Sequence, residues 1–443
     1  MMAKPLLLAI CPIASVSGYG AHSRDLVKCL INMNKYDIKI LPLRWGNTSL
    51  NALEPGKDDD IISRILLNPQ LQKQPEIVFQ VTVPNEFNPI GQYNIGVTAG
   101  IETTIAPASW IEGMNRMNIN IVPSQFSKKI FIDSTYTKNE QHTNKPIGQL
   151  KLERDVDVIF EGCDTSIYKR IQENEISEKV KDKLSFIQED WAFLMVGHWL
   201  QGIIGQDRKD IGMTIKVFLE AFKNRPNPPA LIAKISSATF SVLDRDEMLK
   251  RIHEIKNSIT DAKTLPNVYL LHGQLSDVEM NELYNHPKVK AMITLTKGEG
   301  FGRPLLEFSM CGKPIIASAW SGHMDFLDKD LTILLPGKIE KVHESTVNDF
   351  ILKEAQWFTA DYNVAAGAML KVFSDYNKFA SNAKKMSYYN KNTYSLEMMQ
   401  KKLNWFFEKN VPEFPEEMEL KLPPSVNKLK TINLPKLKKV GDK

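Results

Sequence analysis

The chain passes twice through a run of short apolar segments separated by segments of helical periodicity, and that alternation limits its fold more than any other feature. In the first run, Pro5–Ile13 is a continuous apolar strand, of the kind a parallel sheet buries on both faces. Ser17–Gly20 reads as a glycine turn. Ala21–Asn34 carries Leu26, Val27, Leu30 and Ile31 at helical spacing, and Asp37–Leu43 is the next strand, which completes a βαβ unit. Further strands are expected at Ile77–Val81, Tyr93–Thr98, Ile119–Val122 and Val156–Phe160, with helices at Ser109–Met117 and Ser124–Ile132 and a polar loop over Thr135–Pro146. The second run starts near Ala192. Strands are expected at Phe193–Val196, Ala230–Ile235, Val268–His272, Ala291–Leu295 and Pro314–Ser318. Helices are expected between them at Ile211–Phe222, Asp244–Ile259, Val278–Tyr284 and Pro304–Met310. Two doubly wound α/β lobes follow, joined by the charged and helical Asp164–Glu189.

Length agrees, since 443 residues exceed one ordinary core. With 43% hydrophobic and 24% charged residues, the chain is globular rather than disordered. Val364–Phe373 and Ser395–Glu408 read as amphipathic helices. Past Val411, prolines and lysines prevail in an extended tail. Seven lysines between Glu419 and Lys443 face only Glu419 and Asp442, so the tail alone carries about +5 and the rest of the chain is close to neutral. Asp58–Asp60 reads as a solvated charge run, and Trp357, Phe358 and Trp405–Phe407 as core aromatics. His22 and His323 are cleft candidates with ordinary structural readings. Cys11, Cys29, Cys163 and Cys311 are widely spaced without a CxxC pair, which suits buried free thiols in a reducing compartment better than zinc or disulfides. The N-terminal apolar run is followed by glycines rather than a cleavage site, and no segment approaches the ~18 apolar residues of a membrane span. The expected location is the cytoplasm, or the host cytoplasm if the chain is phage-encoded.

The chemistry concentrates in Lys297-Gly-Glu-Gly-Phe-Gly-Arg-Pro-Leu-Leu-Glu307. Glu299 and Glu307 stand eight positions apart. A strand leads into a turn holding Gly298, Gly300 and Gly302, and Pro304 opens a helix. Glycines let a ligand approach the backbone. Exposed amides at a helix start favour a diphosphate. A carboxylate accepts two hydrogen bonds from neighbouring sugar hydroxyls.

With these flanks the sequence resembles the GT-B glycosyltransferases, specifically the retaining family 4, or glycosyl transferases group 1, over about Lys4 to Glu408. The resemblance implies two Rossmann-like lobes facing a central cleft. Residues 1–170 would be the acceptor lobe, 171–190 the linker and 191–394 the donor lobe; 395–411 would be a helix packing back on the first lobe, and 412–443 the basic tail. It places Glu299 by the donor sugar, Glu307 on the ribose, and Gly300, Phe301, Gly302 and Arg303 against sugar and diphosphate. Ser17-Gly-Tyr-Gly20 resembles the first glycine loop, which gives Gly18 and Gly20 a place at the diphosphate. Gly162-Cys-Asp164 resembles the end of the family's N-terminal lobe. Val196-Gly-His-Trp199 and Asp207-Arg-Lys209 resemble the phosphate-neutralising stretch. Lys209 keeps its place, but His198 stands where arginine is usual, so Arg208 or Lys234 would supply the missing charge. Gly273-Gln-Leu275 resembles the base-binding loop, which assigns Leu275 to the nucleotide, and Trp320–Asp325 a cleft-lining loop. Gly100-Ile-Glu-Thr-Thr104 makes Glu102 the acceptor-side candidate, a general base if it reaches the acceptor hydroxyl. Each residue also has a structural reading as a cap, ion pair or tight turn.

The implied activity is transfer of a sugar from a nucleoside diphosphate, UDP foremost, with retention and with neither metal nor cofactor required. The acceptor is a carbohydrate or lipid-linked glycan, or a hydroxymethylated DNA base as in bacteriophage DNA-modifying enzymes. The basic tail motivates the second option as a DNA contact. The alternative is a non-catalytic sugar-nucleotide or nucleic-acid binding protein that keeps the fold. A glycan phosphorylase shares the fold but would need a pyridoxal phosphate lysine that nothing here marks.

Overall fold

A computed structural model describes residues 4–140, 145–199, 204–237 and 240–415. The first half of the chain runs β1 (Leu6–Cys11), α1 (Gly18–Met33), β2 (Asp37–Pro42), α2 (Asp59–Ile62), β3 (Ile77–Val81), β4 (Tyr93–Val97), α3 (Ala108–Arg116), β5 (Ile119–Val122), α4 (Gln125–Asp133), β6 (Tyr136–Asn139), β7 (Pro146–Leu150), β8 (Val156–Val158) and α5 (Glu178–Leu184). The second half runs β9 (Ala192–His198), α6 (Ile211–Phe222), β10 (Ala230–Ser236), α7 (Val242–Asn257), β11 (Val268–Leu270), α8 (Asp277–Asn285), β12 (Val289–Thr294), α9 (Arg303–Ser309), β13 (Ile315–Ser318), β14 (Ile333–Leu335), β15 (Gly337–Lys341) and β16 (Gln356–Ala360). It ends on α10 (Tyr362–Ser374), α11 (Tyr376–Thr393) and α12 (Leu396–Asn410).

Two six-stranded parallel sheets result, ordered β2-β1-β3-β4-β5-β8 and β11-β10-β9-β12-β13-β14. Every residue of β1 and β3 is buried, because helices cover both faces of each sheet. The strand order reverses between β1 and β3 in one sheet and between β9 and β12 in the other. Open α/β sheets hold ligands beyond the carboxyl ends of the strands at such reversals. Tyr19 and the Lys297–Glu307 motif follow such strand ends, and His198 is the last residue of β9.

The chain then returns to its first lobe through α12. Leu396 N–H donates to Cys163 O, Gln400 reaches Cys29 O at 2.9 Å, and Phe407 packs on Tyr36 and Phe79. Among the described residues no helix is long and apolar enough to cross a membrane. All four cysteines are free and buried.

Several local expectations change. Thr135–Pro146 is not simply a loop, since β6 and β7 pair there as an antiparallel hairpin. Its residues are mostly exposed and polar, so no apolar alternation announced it. Ser17–Gly20 is the start of α1, with Ser17 accepting from Gly20 N–H, rather than a separate turn. Asp58 is buried instead of solvated: it takes Glu54 N–H at 3.0 Å and pairs with Lys28 at 3.4 Å. Trp405 is 58% exposed and is not a core residue, although Phe406 and Phe407 are. The 164–189 link is helical only over a short 3-10 turn and α5. The hairpin β15–β16 and the helix α11 had no expected counterpart. The lysine-rich Glu419–Lys443 lies outside the described residues.

Candidate active site between the lobes

The motif turn meets the first lobe backbone to backbone. A Cβ on Gly298 would stand 1.9 Å from Glu102 O, and one on Gly300 2.0 Å from Ala99 O. Only glycine allows that approach. Ser124 Oγ donates to Gly300 O at 2.6 Å, and Gln125 N–H donates to Asp325 Oδ2 at 2.9 Å, so the N-terminus of α4 also holds the second lobe. Phe126 and Trp320 meet edge to face across the same seam, with ring centroids 4.7 Å apart. Gly302, at φ +99°, caps α9, and Pro304 lies in its first turn.

Glu299 is buried at this seam among cations. Lys209 Nζ lies 2.5 Å from Oε1 and Arg208 Nη1 3.5 Å from Oε2. Arg208 also donates to Gly298 O at 2.8 Å and sits 3.7 Å from Glu102 Oε1, which links the two lobes through one guanidinium. Burial pushes the Glu299 carboxyl up, but Lys209 and Arg208 outweigh it and hold it at about 2. Thus Glu102, Arg208, Lys209 and Glu299 converge on one spot.

Glu307 belongs to a second cluster. Arg303 bonds Glu307 through Nε at 2.8 Å and Asp25 through Nη1 at 2.6 Å, so it bridges α9 to α1 of the other lobe. Glu161, 7% exposed, faces the same guanidinium and makes no hydrogen bond among the described residues. Burial pushes Glu161 and Glu307 each to about 7, against the pull of Arg303. Three buried carboxyls around one guanidinium disfavour full ionisation, which holds Glu161 and Glu307 toward their protonated forms. His22 is buried beside it with neither ring nitrogen hydrogen-bonded, and burial followed by Arg303 drives it down to about 3, which keeps it neutral.

The other expected residues divide. His198 reaches Ser236 Oγ and Ser237 O, both at 3.2 Å; the protein around it and then Lys209 lower its pKa, so it brings no positive charge to the place of the usual arginine. Lys234 donates to Gly273 O at 2.8 Å, and burial lowers it to about 8. It therefore ties the 273–275 loop to β10 and makes no direct contact with Glu299. Leu275 packs half-buried on a core cluster drawn from both lobes. Gly18 faces open space, whereas Gly20 packs on the Ser15 carbonyl, which a Cβ would approach to 2.1 Å. The Phe301 side chain is 2% exposed and packs on Phe326, so only its backbone faces a ligand. His323 is a structural residue bonded to Ser318 O at 2.7 Å. Among the described residues no three His, Cys, Asp or Glu side chains are grouped to hold a metal ion.

Residues 215–351 match the family described as Glycosyl transferases group 1, a span that contains the whole Lys297–Glu307 motif together with Lys234 and Leu275. No curated protein matches the sequence. Three solved structures are similar over nearly their full lengths. The HepE protein of Anabaena, solved with UDP-glucose, has 14% identity and a TM-score of 0.57, with 91% of this chain and 99% of that one covered. Sucrose-phosphate synthase from Thermosynechococcus elongatus has 13% identity and a TM-score of 0.60, with 92% and 99% covered. A glycosyltransferase from Rickettsia africae has 13% identity and a TM-score of 0.60, with 93% and 100% covered. The fold is GT-B.

Within the GT-B frame, both clusters lie where the two lobes meet. The family match begins after His198, Arg208 and Lys209, and the first lobe lies wholly outside it. Sequence reading missed Asp25, Glu161 and Ser124. Glu161 stands next to Gly162-Cys-Asp164, the nearest signal available. Asp25 carried none, because its partner is 278 positions away; Ser124 was legible as the start of a helix, but its partner Gly300, 176 positions away, was not.

Proposed function

We propose that the chain is a cytoplasmic retaining glycosyltransferase that moves a sugar from a nucleoside diphosphate, UDP foremost, to a hydroxyl acceptor. The observation that carries this reading is Glu299 buried between Lys209 and Arg208 at a strand-order reversal, inside the span that matches the glycosyltransferase family. UDP-glucose in the structurally similar HepE supports the choice of donor.

On this reading Glu299 holds hydroxyls of the donor sugar. Arg208 and Lys209 turn from Glu299 to the diphosphate and stabilise the charge that develops as it leaves, with Lys234 behind them, so no metal ion is needed. The Gly18 loop and the backbone of Gly300, Phe301 and Gly302 supply room and amides. Glu307 takes the ribose with Arg303 beside it, and Leu275 borders the base. The acceptor oxygen attacks the anomeric carbon from the face the diphosphate leaves. The C–O bond to phosphate breaks as the new one forms, and the acceptor proton passes to the departing phosphate oxygen. Glu102, half-buried beside Arg208, orients the acceptor. Residues 1–170 would then hold the acceptor and 191–394 the donor.

A binding protein without turnover is the second reading. It is favoured by one observation: Arg303 and Glu307 are already satisfied by each other and by Asp25. Incubation with UDP-, GDP- and ADP-sugars, with nucleotide release followed, separates the two. Slow release that falls at least 100-fold in Glu299→Ala supports the enzyme. Binding without release by folded protein supports the second reading.

A further inference from the structure

The first turn of α1 and the loop after β2 together build a feature that the donor-site reading leaves unused. Tyr19 and Trp45 stack with ring centroids 3.9 Å apart and planes 27° from parallel. Each packs against buried residues on one side, yet both stay half-buried rather than closed off. The Tyr19 hydroxyl bonds Thr98 Oγ1 at 2.9 Å, and Thr98 opens the loop that carries Glu102. The charges of Glu102 and Glu161 both reach this phenol, so the ring lies near both acids.

The Trp45 loop is also held firmly. Val16 N–H donates to Ser49 O at 2.8 Å, Ala52 N–H to Ala14 O at 3.1 Å, and Ser15 Oγ meets Thr48 Oγ1 at 2.7 Å. Thr48 Oγ1 closes the turn on Trp45 O at 2.7 Å. A rigid aromatic surface costs little ordering entropy when a ligand settles on it.

Charge decides what it can hold. The segments 12–17, 43–53 and 98–107 contain one cation, Arg44, and one anion, Glu102; beside them Glu161 adds a second acid, while Arg24 is engaged by Ile13 O and Ser15 O and Arg208 by Gly298 O and Glu299. Affinity for a nucleic acid rises with the number of phosphates that Lys and Arg neutralise, and one arginine offset by a glutamate supplies almost none. Arg44, Asn47, Ser49 and Asn51 are exposed around Trp45 and offer neutral donors and acceptors with a single charge. A pyranose ring presents a face of C–H bonds and a rim of hydroxyls. That shape matches a flat aromatic surface bordered by amides, hydroxyls and one carboxylate.

We propose that the outer face of Trp45, backed by the stacked Tyr19, is the floor of an acceptor subsite for an uncharged sugar ring, so that the acceptor is a carbohydrate and not DNA. The inference rests on the transferase reading for the word acceptor, but the subsite itself is tested without turnover. The probes are methyl glucosides, galactosides and mannosides, and a hydroxymethylcytosine DNA duplex, each added with UDP and followed by saturation-transfer NMR. At least one glycoside receives saturation on its ring protons. Its Kd rises at least tenfold in Trp45→Ala and less than threefold in Trp45→Phe, which keeps a flat ring. The shift in melting temperature produced by UDP reports that each variant is folded. No glycoside contact, contact indifferent to Trp45→Ala, or duplex binding that depends on Trp45 overturns the subsite. Donor release is read on the same preparations. Release without Trp45-dependent glycoside contact removes the subsite alone; such contact without release keeps the carbohydrate site and removes the transferase reading.

Discussion

Replacing Gly300 by alanine places a methyl group 2.0 Å from the Ala99 carbonyl oxygen, whereas real Cβ atoms stay beyond 3.0 Å from such neighbours. The obstacle is the backbone of the opposite lobe, not a side chain that can swing away. Nor can the motif turn retreat, because Gly322 lies against the far side of the Gly300 carbonyl, where its own Cβ would come to 2.0 Å. The lobes must therefore part locally by at least about 1 Å. The 2.6 Å hydrogen bond from Ser124 Oγ to Gly300 O then stretches past bonding range, a net loss of about 0.5–1.5 kcal/mol. Gly300 is not among the glycines with positive φ, so backbone strain does not confuse the comparison. A displacement of that size between reacting groups costs on the order of 100-fold in rate. The expected outcome is a fall of about 100-fold in kcat/KM for the sugar donor, with unfolding free energy lowered by no more than about 2 kcal/mol. Steady-state kinetics and chemical denaturation measure the two. Gly148→Ala, in the hairpin β6–β7 with open space around the new methyl, is the control. Activity of Gly300→Ala within threefold of the native protein refutes the idea that close approach of the lobes at this turn matters.

Three further outcomes follow from the same geometry. Burial raises Glu161 from 4.5 to about 7, so its contribution to stability is fully present below pH 4.5 and lost as pH rises through 7. The difference in unfolding free energy between the native protein and Glu161→Gln should shift against the native protein between pH 4.5 and 8; a difference constant with pH defeats this reading. Lys209→Ala leaves the buried Glu299 with Arg208 alone, and should lower stability by about 2–3 kcal/mol and weaken UDP binding at least tenfold by calorimetry. Unchanged UDP affinity would remove Lys209 from the diphosphate site. Gly367→Ala, inside α10 with nothing within 4 Å of the added methyl, should stabilise by about 0.5–1 kcal/mol in denaturant titrations without altering donor release; destabilisation would mean the space is not open.

The sequence by itself determined the alternation of strands and helices and the strand–glycine–proline–helix setting of Glu299 and Glu307. Ile211–Phe222 was legible to the residue, because its apolar spacing reports a helix lying on a sheet. These signals are local: periodicity, caps and turn chemistry act within a few residues. Elements with little apolar pattern stayed hidden, such as β6 and β7, which pair only with each other, and α11, which buries Ser387 and Asn390 beside only Ala383 and Met386. Only the tertiary structure decided the electrostatics of the site. Arg303 meets Asp25 across 278 positions and Glu299 meets Lys209 across 90, and each meeting depends on two loops brought together by packing elsewhere in the chain. Ionic partners at such distances leave no mark on local sequence, because Coulomb attraction in a buried seam depends on separation in space and on the exclusion of water, and the folded lobes supply both.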